Sequence, residues 1–509
     1  MKTIASPVVL FGEAVRFWLK PGFIDSGGAA GAFIRSLPHR FAHVAHPRSW
    51  QERRLSACSG MGTQAPWACQ CYSFSLFPLR FSMRLDLNYG RDCYPLELPD
   101  EWDVTVIRKP SMPLTPDPAL AVRKALAQPV GASPLEQEAR GLKSACILIC
   151  DITRPVPNGL LLPEIVRQLL DAGMKADDIT VLVATGLHRP NEGAELEELI
   201  GDPWVLKTVR VVNHFARDDA AHVDLGRTPR GTPVKIDRRF VEADLKIATG
   251  LVEPHFMAGY SGGRKVIAPG VAHRDTITTF HSARFMAHPK ADNCILEGNP
   301  LHEEQLEIVR MLGHVLAVNT VIDEHRRLSF VNYGEILASH LQAVEFTQRY
   351  ARVPVGRRFK TVVTSAAGYP LDKTYYQTVK GMVGPVDILE PGGNLIIVSE
   401  CSEGLGSHEY ADAQRRLIGL GAEGFFADIS RKQFADVDEW QTQMQLKPMK
   451  AGTVHLYTGG LPPADRALTG VNLVDSVEET LQHCMEHDGD HALAVIPEGP
   501  YVVPYYQPA

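Results

Sequence analysis

From residue 145 onward, short apolar runs alternate with stretches of helical period. AlaCysIleLeuIleCys at 145–150 and IleThrValLeuValAla at 179–184 read as buried strands, and Leu245-Lys246-Ile247-Ala248 as a third. Between the first two, Ile165, Val166, Leu169 and Leu170 recur at helical spacing, and Gly173 closes the helix. Such alternation predicts βαβ units and a largely parallel sheet. A second series starts near Lys360, with a strand at 361–364, a GlyTyrPro turn at 368–370 and a helix from about Asp372 to Met382. Strands follow at 394–399, 453–457 and 492–496, with a helix from about Asp475 to His487 before the last. ValProValGlyArgArg at 353–358 interrupts the helical pattern between the two series. The fold class expected is therefore α/β, with two α/β domains, 83–354 and 355–509, mainly parallel sheets and an active site in the cleft between them.

Residues 1–82 follow neither pattern. They carry nine Lys and Arg against three Asp and Glu, and three of the six tryptophans, with no sustained periodicity. An organelle-type presequence, a small extra module and a translation start placed too early at Met1 all compete. The lack of amphipathic order favours an atypical leader that is mis-started or disordered, with Met83 as the true beginning. Cys69 and Cys71 lack partners at zinc-type spacing.

Composition narrows the function classes. A net charge of -7 over 509 residues argues against a general nucleic-acid binder. No apolar run reaches the roughly 18 residues that a membrane span needs. The nine cysteines form no regular framework, which suits a reducing cytoplasm.

Each of the three early strands is followed at once by a polar cluster: Asp151-Ile152-Thr153-Arg154-Pro155, Thr185-Gly186-Leu187-His188-Arg189-Pro190 and Glu253-Pro254-His255. Ligands in open α/β sheets bind beyond the carboxyl ends of strands, so the three clusters are expected to converge on one crevice. His188 and His255 then suit acid and base work near neutrality. Arg154 suits a substrate carboxylate through its planar fork, with Asp151 orienting. The turn Gly259-Tyr260-Ser261-Gly262-Gly263-Arg264, followed by Lys265, is shaped for an anion approached by backbone N–H groups and by Arg264 and Lys265. It is neither a P-loop nor a GxGxxG dinucleotide turn. His281 alone is a poor metal site unless a cofactor brings the other donors. Further on, Gln377 and Lys380 are three apart on a predicted helix and share a face, so both can address one anion.

Taken together, DITRPVPN at 151–158, TGLHRP at 185–190, EPHFMAGYSGGRK at 253–265, His281 and YPLDKTYYQTVKG at 369–381 resemble the nickel-dependent lactate racemase family, from about Met83 to the C-terminus. The resemblance implies a nickel-pincer nucleotide, a pyridinium mononucleotide whose two sulfur arms and a ring carbon hold nickel. It implies that Lys265 carries this cofactor covalently, within a cradle of Gly262, Gly263 and Arg264, and that His281 supplies the fourth nickel ligand. It makes His188 and His255 the acid/base pair, and gives the substrate Asp151, Arg154, Gln377 and Lys380. The implied mechanism removes a hydroxyl proton and transfers the α-hydrogen as hydride to the cofactor, then returns it to the opposite face. The implied partners are a small α-hydroxy acid, lactate by default, and the proteins that make and insert the cofactor. Two other readings remain open from the residues: an NAD-dependent hydroxy-acid dehydrogenase, whose glycine fingerprint is missing, and a non-catalytic ligand or cofactor carrier.

Overall fold

The computed structural model describes residues 82–508. The leader question at 1–82 therefore falls, but for Ser82, outside the described residues. Two six-stranded sheets organise the rest. The first runs in the order Leu328–Glu335, Leu316–Ile322, Leu245–Leu251, Ala145–Cys150, Ile179–Ala184, Arg210–Asn213. All neighbours are parallel except the outermost hairpin, where Leu316–Ile322 meets Leu328–Glu335 antiparallel. The second sheet runs Asn472–Val474, Gly452–Tyr457, Leu389–Val398, Phe359–Ser365, Ala492–Ile496, Asp103–Val106, parallel throughout.

The two strands read first from the sequence, Ala145–Cys150 and Ile179–Ala184, have those bounds in the structure. Their near-continuous apolar character reflects burial on both faces, since helices cover both sides of a parallel sheet. The helix between them, Asn158–Asp171, buries Leu161, Leu162, Ile165, Val166 and Leu169 against the sheet. From Ala145–Cys150 the chain adds Ile179–Ala184 and Arg210–Asn213 on one side, then returns to Leu245–Leu251 on the other. That reversal makes a crevice beyond the carboxyl ends of Ala145–Cys150 and Leu245–Leu251.

One segment departs from the expected division. The residues from Ser82 to Val106, placed with the first domain on sequence, belong with the second sheet. Ser82–Tyr89 and Asp92–Pro99 form an antiparallel hairpin, and Asp103–Val106 pairs in parallel with Ala492–Ile496. Leu87, Leu96, Leu98 and Trp102 share a core with Val363, Ile396, Val398 and Val495. A sheet edge takes whichever strand satisfies its open N–H and C=O groups, and sequence proximity does not decide which. No helix among the described residues is long and apolar enough to cross a membrane.

Leu96 is fully buried in this shared core. Leu96→Ala is expected to cost about 2–5 kcal/mol in chemical denaturation, as truncation of a core leucine does. A loss below about 0.5 kcal/mol would show that the hairpin is peripheral to the second lobe.

Candidate active site

The carboxyl ends of three strands in the first sheet supply one wall of a cleft, and a helix of the second lobe supplies the other. The cleft contains about 1020 Å³ of space free of atoms, its open mouth included. Asp151, Arg154, His188, His255, Gly262, Lys265, His281, Gln377 and Lys380, nine residues singled out on sequence, all line it.

Asp151 follows Ala145–Cys150 and opens a tight turn, in which Arg154 N–H donates to the Asp151 carbonyl at 3.0 Å. Its Oδ1 accepts from Thr153 Oγ1 at 2.6 Å, and Oδ2 meets His188 Nδ1 at 2.5 Å. Burial by itself would raise the Asp151 pKa, but the imidazole and the hydroxyl outweigh it and hold the carboxyl at about 2. Reciprocally, the Asp151 charge raises the His188 pKa. The His188 side chain is 49% exposed. With Nδ1 engaged by the carboxylate, Nε2 is left free for a substrate.

His255 is the opposite case. It is 8% exposed, and its pKa is pushed well below the ordinary value by burial, then by Lys265 and Arg154. Its Nδ1 accepts from the backbone N–H groups of Met257 and Ala258 at 3.3 and 3.2 Å, so the resting neutral ring carries its proton on Nε2. The two imidazoles are thus pushed in opposite directions, one toward its charged form by a carboxylate and the other toward its neutral form by burial and the positive groups beside it.

Three cations converge here. Arg154 Nε lies 3.5 Å from Glu253 Oε1, and this carboxylate with Asp151 keeps the guanidinium charged. Lys380 comes from the helix Tyr375–Val383, whose first turn is capped by Thr374 Oγ1 accepting from Gln377 N–H. Burial, then Arg154, pushes its pKa well down. Lys265 is lowered to about 7 by burial and then by Arg154. Gln377 Oε1 is buried without a hydrogen-bond partner, an open acceptor at the cleft wall.

His281 ends the helix Arg274–Phe280 and is buried, although its surroundings in the sequence are polar. Its Nδ1 donates to the Ile277 carbonyl at 2.9 Å, which leaves the Nε2 lone pair as a ligand atom. Burial holds its pKa at about 3, so that lone pair is not lost to protonation at neutral pH. Its ring lies 4.8 Å from that of Trp440. No group of three or more His, Cys, Asp or Glu side chains that could hold a metal occurs among the described residues. One imidazole beside one amine of lowered pKa therefore fits a metal that arrives with its own donors, as a pincer nucleotide's would.

The glycine turn corrects two expectations. Arg264 does not reach the cleft: it is 2% exposed, and its guanidinium donates to the Ala258 carbonyl at 2.9 Å and lies 3.0 Å from His340 Nε2. Gly263 does not line the cleft either; at φ +49 it precedes the short helix Arg264–Ile267, and a Cβ there would meet the His340 ring at 2.9 Å. At Gly262, φ +74, a Cβ would strike Val252 Cγ2 at 2.7 Å. These glycines are demanded by packing within the protein as well as by backbone conformation. Sequence spacing could not separate the two demands. The cleft also holds Tyr376, Asp438, Trp440 and Gln441. Tyr376 lay inside a noted motif, but the other three open the helix Glu439–Ala451 without any sequence signal.

Fold and site together define an α/β protein with a small-molecule cleft beyond its strand ends, and its relatives make it an isomerase. The chain matches the lactate racemase N-terminal domain over residues 89–293 and the lactate racemase C-terminal domain over 357–503. It is 33% identical over 328 residues to a lactate racemase of Thermoanaerobacterium thermosaccharolyticum, covering 64% of this chain and 76% of that protein. It is 31% identical over 394 residues to a lactate racemase of Lactiplantibacillus plantarum, covering 74% and 89%. The structure of the T. thermosaccharolyticum lactate racemase apoprotein superposes with a TM-score of 0.77 at 29% identity, covering 83% of this chain and all of that one. The protein belongs to the lactate racemase family.

A lysine with a pKa near 7 is a nucleophile at pH values where surface lysines are protonated. In the cofactor-free protein, acylation of Lys265 by a small acid anhydride, with loss of a carboxylate, is expected to reach half its maximal rate near pH 7, read by peptide mass spectrometry. A midpoint above pH 9 would remove the desolvated lysine from the site.

Proposed function

We propose that the protein racemises or epimerises an α-hydroxy acid, with lactate the first candidate, in the cleft between its two lobes. One observation carries the reading: His188 and His255, of opposite protonation preference, share a cleft with two cations placed for a carboxylate and with a lysine and a histidine suited to a tethered nickel cofactor. The relatives named lactate racemase supply the substrate class.

In this reading Arg154 and Lys380 hold the substrate carboxylate, and Gln377 hydrogen-bonds beside them. Glu253 and Asp151 keep Arg154 charged and oriented. Inversion at C2 requires a proton-handling group for each position of the substrate oxygen, and His188 and His255 take those two places. His188 handles its proton at Nε2 while Asp151 stabilises the imidazolium. His255 presents Nε2–H to the substrate oxygen as a hydrogen-bond donor, and it accepts a proton at Nε2 only in the tautomer protonated at Nδ1, which requires the Met257 and Ala258 N–H groups to turn away. Lys265 would attach a nickel-pincer nucleotide and His281 would ligate its nickel; when bound, this group supplies reversible acceptance of the α-hydrogen as hydride. The cleft walls of Phe256, Tyr376 and Trp440 limit water around the reacting carbon. A cytoplasmic setting, with dedicated proteins delivering the cofactor, completes the reading.

Intact-mass and nickel analysis of protein co-produced with the cofactor-making proteins tests the attachment. A mass adduct on Lys265 with about one nickel per chain is expected in the unaltered protein. Lys265→Ala should lose the adduct, and His281→Ala should lose nickel while keeping its melting temperature. Full nickel in His281→Ala would overturn the ligand assignment.

The Asp151–His188 pair sets a pH dependence. The carboxylate raises the His188 pKa, so the form with His188 protonated and His255 neutral dominates between the two pKa values. Asp151→Asn removes the charge and lowers the His188 pKa, and the alkaline limb of kcat/KM is expected to move to lower pH, with a fall in rate of at least about tenfold. An alkaline limb that stays in place would take His188 out of the acid/base pair.

A further inference from the structure

We propose that Asp438 and Gln441 select, among α-hydroxy acids, a substrate that carries a hydroxyl on C3 in place of the methyl of lactate. The inference rests on the racemase reading of the cleft and adds the far end of the substrate to it. In that reading Arg154, Lys380 and Gln377 take the carboxylate, and His188 and His255 take the C2 oxygen. Asp438 and Gln441 also line the cleft, from the second lobe, and no step described so far uses them.

Gln441 is 1% exposed. Its Nε2 donates to the Tyr376 carbonyl, which makes the other end of the amide, Oε1, an acceptor, and that oxygen is buried with no partner. A buried acceptor without a donor is costly, and a bound ligand that supplies one removes the cost. Asp438 lies one helical turn earlier, just before the helix Glu439–Ala451, where an aspartate ordinarily caps the first turn. Here the carboxylate makes no cap hydrogen bond, and the backbone holds φ +64, a left-handed conformation that side chains adopt at a cost. Ser407 Oγ donates to Asp438 Oδ2 at 2.6 Å, and Ser407 is itself fixed as the cap of the helix His408–Ile429. A carboxylate can take about four donors, so acceptor capacity remains. Asp438 and His188 act on each other's pKa through space, which puts the carboxylate on the side of the cleft that handles the C2 oxygen. The bond from Gln441 to Tyr376 ties this wall to the helix Tyr375–Val383, which carries Gln377 and Lys380, so the acceptors and the carboxylate grip move as one body. Two acceptors, one of them charged, call for a ligand that brings O–H groups beside C2. Glycerate, which is lactate with a hydroxyl on C3, brings one. The methyl of lactate leaves the acceptors unpaired, and the second carboxylate of malate meets a like charge at Asp438.

Kinetics of the cofactor-loaded enzyme with glycerate, lactate and malate test the selection. In the unaltered enzyme kcat/KM for glycerate should exceed that for lactate about tenfold or more, with malate below lactate. Asp438→Gly removes the carboxylate at a backbone angle that glycine accepts, and should lower the glycerate-to-lactate ratio at least about tenfold, mainly through KM for glycerate. Asp438→Asn keeps an acceptor and removes the charge, so the glycerate preference should survive while malate improves. Lactate favoured over glycerate in the unaltered enzyme would overturn the inference. An equal fall for all three acids in Asp438→Gly, with a displaced alkaline limb, would make Asp438 a support for His188 and would also overturn it, as would a loss of nickel content, which would turn Asp438 toward the cofactor. Titration calorimetry of the loaded enzyme with each racemic acid separates the selection from the racemase reading, because a racemate undergoes no net reaction and its heat reports binding alone. A Kd for glycerate about tenfold below that for lactate, lost in Asp438→Gly, is expected even if no acid is racemised. Equal Kd values in an enzyme that does racemise would overturn the selection and leave the racemase reading in place.

Discussion

The site depends on three cationic side chains brought together away from bulk water. Arg154, Lys265 and Lys380 share one cleft, and the carboxylates of Glu253 and Asp151 address chiefly the arginine. Burial raises the cost of holding charge, the like charge of Arg154 adds to it at low dielectric, and together they push the pKa values of the two lysines down. Lys265, held at about 7, is in part an uncharged amine at neutral pH, and an anion entering the cleft would favour the charged form of Lys380. Burial, with the same field added to it, depresses His255, so the opposite shifts of the two histidines follow from burial, the cation cluster and the Asp151–His188 contact.

The scaffold is rigid where this cluster needs support. Asp151, His188 and His255 follow directly on parallel strands whose hydrogen bonds and two-sided burial fix their ends. Gln377 and Lys380 sit on a capped helix packed in the other lobe. Backbone groups set the imidazoles: the Ile277 carbonyl orients His281, and the Met257 and Ala258 N–H groups orient His255. Backbone anchors suit an active site because they cost no side-chain entropy. Beneath the cleft, Arg264 and His340 hold the glycine turn from the core side, a supporting role that leaves the anion chemistry to other residues.

Much of this was legible from residue pattern. Strand, polar cluster and strand again gave the three strand ends, because a buried parallel strand must be apolar and the residues just beyond it face the crevice. Arg264 was misjudged because a basic residue in a glycine turn reads the same whether it points outward or inward. Asp438, Trp440 and Gln441 were missed because they reach the cleft from a helix N-terminus with no local motif, and only the packing of the second lobe brings them there.

The sequence by itself determined the α/β class, the order of strands and helices along the chain, the resemblance that names the family, and nine residues of the cleft. These are local properties: periodicity, chain punctuation and chemistry carried on short ordered motifs. Tertiary structure alone decided that the segment before Ile107 completes the second sheet, that the pKa values of the two histidines are pushed in opposite directions and that Arg264 turns away from the cleft. Each of these turns on which groups lie within a few ångströms across a long stretch of chain, where burial and neighbouring charge act through space and leave no trace in residue order.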